Sequence, residues 1–438
     1  MPHNPDQIIE ARWVLPVEPA DTVLENHAVV IQSGRIQDLI PTSIARDLYP
    51  HTPRMSLPHH VLTPGFVNTH CHAAMTLLRG LADDLPLMQW LNEAIWPAEG
   101  KHVSEKFVFD GTLLACAEML RGGTTCYSDM YFFPDAAARA TDTLGMRGIM
   151  GMTVIEFPTP YASDVDDYIA KGLAARDAWA GHERIRFSMA PHAPYTISDA
   201  TFRRIQMLSD QLELAVQIHV HETAREIEDG IKAHHVRPLA RMHALGLVGP
   251  GLLAVHGVHL NEQDIELLAR HGGAVAHCPT SNMKLASGIA PVTALREAGV
   301  PVGLGTDGAA SNNRLDMLQE MRHAALLAKV ATLDAAALGA HQALRMATLE
   351  GAQALGLADE IGSIAPGKWA DLAALDLSDW ICAPHFNPAS HLVYVAGREQ
   401  ISHVWVAGQP KVEDRTLLAA ENLNLMDTAK VWQNAVRL

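Results

Sequence analysis

The chain has 438 residues and 24 histidines, and it is the placement of those histidines that could do chemistry. Two of them stand in Asn68-Thr69-His70-Cys71-His72, at the end of a short apolar run. Side chains alternate between the faces of a strand, so His70 and His72 point the same way and can share one ion. Other short apolar runs end in the same manner. One reaches His192, one His219, His221 and Glu222, one His256, one His277, and one Gly305-Thr306-Asp307-Gly308. A single histidine of this kind is ordinary core or surface. Repetition from run to run is not what packing alone produces. Neutral imidazoles with a carboxylate suit zinc, and also ferrous iron or manganese. An ion so held, with one position open, brings the pKa of water toward neutrality and supports hydrolysis.

The elements that must position these groups can be read from the pattern between them. From about residue 65 to 360, β-branched runs alternate with helical patterns such as EKFVFDGTLLACAEMLRG (105–122) and LDMLQEMRHAALLAKVATL (315–333). Candidate strands lie near 66–72, 123–129, 147–155, 184–190, 214–220, 252–256, 273–277 and 301–306. Eight strands with intervening helices predict an α/β fold, a (β/α)8 TIM barrel, whose chemistry sits at the C-terminal strand ends. The rival, a doubly wound open sheet, lacks a GxGxxG after the first strand. Residues 1–62 and 363–438 are richer in β-like stretches and turns. They are expected to pair into a small β-sandwich domain flanking a barrel of residues 63–362. The final segment, from Leu417, reads as a helix.

Composition excludes several classes. The net charge is −16 with no basic run, which argues against nucleic acid or a membrane surface as partner. No apolar run is long enough to span a bilayer. The N-terminal MPHNPDQIIEARWVLP lacks a basic stretch followed by an apolar one, so it does not read as a leader. Five irregularly spaced cysteines fit a reducing cytoplasm rather than a disulfide framework. The cytidine-deaminase zinc site needs P-C-x-x-C, and the chain has no C-x-x-C. A structural zinc site would be closed and rich in thiolate, which paired cysteines would supply and this sequence does not. A small-molecule substrate is the expected partner. A homo-oligomer is compatible with the sequence.

At this point the sequence resembles the amidohydrolase superfamily, through PGFVNTHCH (64–72), HVHE (219–222), AVHGVHL (254–260) and GLGTDGAASNN (303–313). Within it, the chain resembles the methylthioadenosine/S-adenosylhomocysteine deaminases. That likeness rests on HAAMTLLRGLADDLPLMQWL (72–91), SMAPHAPYT (188–196) and HCPTSNMKLASGIAPV (277–292). The resemblance implies metal ligands His70, His72, His219 and Asp307, with His219 chosen over His221 as the histidine three before Glu222. It also implies Glu222 as proton carrier, Asp307 and His256 as the groups that take the proton of the attacking water and aim it, and Glu99 on the ribose hydroxyls and His192 on the nucleoside, with Glu222 and Asp307 also meeting the substrate. Two-metal relatives use a carboxylated lysine late on the fourth strand. Between residues 107 and 231 the one lysine is Lys171, inside a helical pattern, so one metal is expected. The stretch GMTVIEFPTPYASDVDDY (151–168) has no arginine or lysine to meet an amino-acid carboxylate. Met152, Ile155, Phe157 and Pro158 suit a methylthio group, so methylthioadenosine is expected ahead of S-adenosylhomocysteine and adenosine. The alternatives within the superfamily are guanine deaminases and triazine hydrolases, which share nearly the same metal residues.

Overall fold

The computed structural model describes residues 5–437. The first four residues, part of the stretch read for a leader, and Leu438 lie outside the described residues. Eight parallel strands follow one another around a barrel in chain order. They are Phe66–Cys71, Thr124–Tyr131, Arg147–Val154, Ile185–Pro191, Val216–Val220, Leu252–His256, Ala274–His277 and Val302–Leu304. Nearly every residue in them is buried, because one face fills the barrel and the other meets the surrounding helices. The short hydrophobic runs are thus strands buried on both faces.

The eighth strand closes against the first. Thr69 Oγ1 donates to the Leu304 carbonyl at 2.9 Å and the Asp307 N–H to the His70 carbonyl at 3.0 Å. Asn68 Oδ1 accepts the Thr306 N–H at 2.9 Å. The approach needs glycine. A Cβ at Gly303 would stand 2.4 Å from Thr69 Cγ2, and one at Gly305 would stand 3.0 Å from the His70 nitrogen. The glycines of GLGTDG therefore bring Asp307 beside the paired histidines.

Side-chain caps fix where several barrel helices begin. Ser104, Asp164, Ser198, Thr223 and Asn261 each accept the N–H three residues on. The two helical patterns read from sequence form Glu105–Arg121 and Met317–Thr332.

Both chain ends build a second eight-stranded sheet. At its centre Arg54–Pro64 runs parallel to Gln7–Val14 and antiparallel to Leu372–Asp376. Trp405, Leu372, Leu62 and Ile31 form part of its buried core. Arg147, at the start of the third barrel strand, is paired with Asp371 at 3.1 Å, both buried, where the two sheets meet. The terminal segment differs from expectation. Thr416–Leu417 is the sheet's edge strand, and the helix runs only from Leu425 to Val436. Asn422 and Asn424 fall between them, and such residues favour turns over helix interiors.

Candidate metal centre and active site

The C-terminal ends of the barrel strands bring the separated histidines together. Ring nitrogens of His70, His72 and His219 lie within 4.8 Å of one another, a group able to hold an ion. His70 Nε2 and His219 Nε2 are 3.2 Å apart. Asp307 Oδ1 lies 3.6 Å from His70 Nε2 and 3.3 Å from His72 Nε2.

The far side of each ring explains the orientation. His72 Nδ1 meets the Met130 carbonyl and His219 Nδ1 the His192 carbonyl, at 2.8 Å for the latter. His70 Nδ1 meets Gln217 Oε1 at 3.4 Å. An oxygen accepts only from N–H, so these partners place the proton on Nδ1 and leave the Nε2 lone pairs facing a common centre. Burial lowers the His70 pKa to about 4 and takes His219 well below its ordinary value, which keeps both neutral. Burial works against ionising Asp307. The surrounding imidazoles, His70 first among them, nonetheless hold it well below the usual carboxylate range. Ser281 Oγ and Ser311 Oγ donate to Asp307 Oδ2 at 2.6 and 2.8 Å, and the Gly308 N–H donates to Oδ1 at 2.8 Å. Three convergent imidazole lone pairs beside an ionised carboxylate are a donor set that fits one divalent ion.

His221 is not part of this group. It is buried and turned outward, where its Nε2 accepts the Leu239 N–H at 3.1 Å and its Nδ1 lies 3.4 Å from Asp264 Oδ2. Alternation alone would have put both histidines on one face, but the strand ends at Val220 and His221 takes a positive φ of 56°.

Glu222 and His256 stand beside the cluster. His256 Nε2 is 3.9 Å from Glu222 Oε2, and the His256 ring stacks on His219 with centroids 5.5 Å apart. Burial raises the Glu222 pKa, with His256 pulling it down and Asp307 pushing it further up. Burial also opposes a charge on His256, but Glu222 and Asp307 outweigh it and its pKa is raised. Asn282 Oδ1 accepts from His256 Nδ1 at 2.9 Å.

These groups open into a cavity of about 280 Å³. Glu99, in the helix Trp96–His102, lies on its wall and accepts from the Tyr131 hydroxyl at 2.6 Å. Burial pushes the Glu99 carboxyl up to about 7, opposed by that hydrogen bond. His192 also lines the cavity, its ring 5.2 Å from that of His219, and burial lowers its pKa to about 3. His277 is buried and is absent from the described lining. Ile155, Phe157 and Pro158 line the apolar part with Trp90, Leu91 and Trp96. Met152 does not line it. It packs behind the strand against Gly172, while Thr153 faces inward. Among the described lining residues there is no lysine or arginine. Lys171 is engaged elsewhere, with the Tyr161 carbonyl and Asp167.

Ser281, Asn282, Ser311 and Tyr131 were not singled out by the sequence reading, although three of them fall inside the family blocks quoted above. The two serines and Asn282 had no signal beyond membership of those blocks, and Tyr131 had none, because each contacts another side chain of the site rather than standing in a motif of its own.

The amidohydrolase family profile matches residues 61–411. Over 428 residues the chain is 47% identical to a 5-methylthioadenosine/S-adenosylhomocysteine deaminase from Saccharophagus degradans, covering 98% of this chain and 96% of that one. The chain belongs to this deaminase family of the amidohydrolases. The crystal structure of an adenosine deaminase from Xanthomonas campestris with bound zinc matches this family member with a TM-score of 0.98 and 48% identity, over 100% of both chains. A zinc complex of an atrazine chlorohydrolase from Arthrobacter aurescens gives a TM-score of 0.89 at 22% identity, over 98% of this chain and 100% of that one, which is a likeness of fold. No helix among the described residues is long and apolar enough to cross a membrane.

Proposed function

We propose that this deaminase-family chain hydrolyses the 6-amino group of adenine nucleosides, with 5′-methylthioadenosine the preferred substrate and 5′-methylthioinosine and ammonia the products. S-Adenosylhomocysteine and adenosine are secondary substrates in this reading. The observation that carries it is one cavity with Glu222, His256 and the His70/His72/His219/Asp307 cluster at its floor and Glu99 on its wall.

A single divalent ion, zinc in the first place and ferrous iron or manganese as alternatives, would be held by His70, His72, His219 and Asp307 and would bring water toward ionisation at neutral pH. The remaining work falls to the chain's own side chains. Glu222, whose buried carboxyl gains a proton more readily than an exposed one, delivers that proton to purine N1 as C6 is attacked. His256 donates through Nδ1 to Asn282, so its Nε2 faces the cavity and aligns the attacking water. Asp307 keeps Oδ1 toward the imidazoles while its two serine partners restrain Oδ2. Asp307, with His256 aiming the water, takes the first proton of that water and passes it to the 6-amino group, which leaves as ammonia; the proton of the remaining C6 hydroxyl returns to Glu222, giving the 6-oxo product. Glu99, already held by Tyr131, offers its other oxygen to a ribose diol.

The apolar wall sets the preference at the 5′ end. Ile155, Phe157 and Pro158 favour a methylthio group, and no cation in the described lining meets the carboxylate of S-adenosylhomocysteine. Steady-state ammonia release with methylthioadenosine, S-adenosylhomocysteine, adenosine, guanine and a triazine, paired with metal analysis, tests the reading. The highest kcat/KM is expected on methylthioadenosine. A higher value on S-adenosylhomocysteine overturns the preference, and a higher value on guanine or a triazine overturns the substrate class.

A further inference from the structure

The turn that presents Glu222 is held from behind by a second carboxylate. Glu226 lies four residues on, in the helix Ala224–His234. Its Oε2 accepts the Glu222 N–H at 2.8 Å, and its Oε1 accepts the His221 N–H at 2.8 Å. Thr223 caps the same helix and accepts the Glu226 N–H at 3.2 Å. In a capping box, the acidic residue at this position reaches back to the N–H of the cap itself. Here it passes over Thr223 and takes the two amides before it.

Those two amides need a partner. His221 and Glu222 are buried, and a buried N–H left without an acceptor is destabilising. His221 also sits at a φ of 56°, and such a residue keeps a left-handed conformation only where its surroundings impose it. The surroundings do so on both sides. The His221 ring is fixed by Leu239 and Asp264, and its carbonyl accepts the His259 N–H at 2.9 Å. Glu226 holds the amide side. The group required is specific: two acceptor atoms side by side with no donor. A carboxylate has them, and an amide of the same shape does not. Glu226 is itself buried and absent from the described lining of the substrate cavity, so its interactions are spent on the backbone.

We propose that Glu226 is a positioning residue for the deamination: by accepting both N–H groups of the His221–Glu222 turn, it aims the Glu222 carboxyl at the reacting ring. This rests on the reading of Glu222 as the proton carrier. Displacing a reacting group by about 1 Å costs on the order of 100-fold in rate.

The test compares the metal-loaded Glu226→Gln and Glu226→Asp enzymes with the parent on methylthioadenosine. Glu226→Gln keeps the shape and loses one acceptor. Glu226→Asp keeps the charge and loses reach. Both are expected to lower kcat by roughly 10- to 100-fold, with KM and metal content at the parent's values. The solvent deuterium isotope effect on kcat should rise as proton transfer becomes slower. Glu228→Gln, on the exposed face of the same helix, should behave like the parent. An unchanged kcat in both Glu226 variants overturns the proposal. So does a fall that tracks lost metal or folded fraction with the parent's isotope effect. Glu222→Gln separates the two readings. If that variant deaminates normally, the role of Glu222 fails. If it is inactive while the Glu226 variants are normal, the positioning role alone fails.

Discussion

Asn282 Oδ1 stands 2.9 Å from His256 Nδ1, so an amide following the seventh strand decides which ring nitrogen of the sixth strand's histidine faces the cavity. Its neighbour Ser281 restrains Asp307 at 2.6 Å. Two successive residues of one short helix, Pro279–Lys284, thus orient two groups at the reacting centre. Replacing Asn282 with alanine frees the His256 ring to adopt either tautomer. The expected result is a fall in kcat on the order of 100-fold, as for a reacting group displaced by about 1 Å, with metal content preserved. Asn282→Asp, which restores an acceptor for Nδ1, should recover part of the loss. Steady-state kinetics on the three enzymes check this.

The two histidines of HVHE should respond differently. His219→Ala removes a member of the cluster and is expected to lose most of its metal. His221→Ala should retain metal, because that ring contacts Leu239 and Asp264 instead. It should still lose stability, by about 1–3 kcal/mol for a buried N–H left without its acceptor. Elemental analysis and denaturant unfolding separate the two effects.

With Glu99 on the ribose as proposed, substrate binding should depend on pH. Its carboxyl is pushed up to about 7 by burial, so it ionises as the pH rises through neutrality. A carboxylate accepts from ribose hydroxyls better than the protonated acid, so KM for ribonucleosides should fall between about pH 6 and pH 8. In Glu99→Gln, KM should be higher and flat over that range. The stability effect has the opposite sense. The folded chain holds a proton that the unfolded chain releases from its ordinary 4.5 upward. Stability from this group therefore declines as pH rises from there to about 7, and Glu99→Gln should lack that slope. Kinetics and unfolding as functions of pH measure the two separately.

Arg147 and Asp371 form a buried pair at the opposite end of the barrel, far from the cluster in the chain's path along the third strand. Asp371 also accepts the Ala407 N–H at 2.7 Å. Asp371→Ala leaves a buried guanidinium without its partner, and about 3–5 kcal/mol of stability should be lost. Turnover per folded, metal-loaded molecule should be unchanged. A fall in kcat at constant metal content would show that this pair also reaches the reacting centre.

Much of this architecture was legible in sequence because the barrel strands are short apolar runs ending in polar residues. His70 and His72 could be paired from alternation alone. Three features were not legible. Met152 was expected in the cavity wall, but alternation along Arg147–Val154 sends Thr153 inward and Met152 toward the helix behind. The terminal helix began later than its pattern, because the edge pairing of Thr416–Leu417 depends on strand Gln409–Glu413 rather than on local propensity. Ser281 and Asn282 carry no pattern of their own, since their partners lie 26 residues away in each case.

The strand Arg54–Pro64 leads directly into the one that ends at His70 and His72, and its flank is completed by Leu372–Asp376. During synthesis, those two histidines therefore emerge some three hundred residues before the second partner of that supporting strand, the first being Gln7–Val14. Pairings so distant along the chain close late and slowly. The paired histidines themselves wait for the eighth barrel strand, which closes against theirs and brings Asp307 beside them.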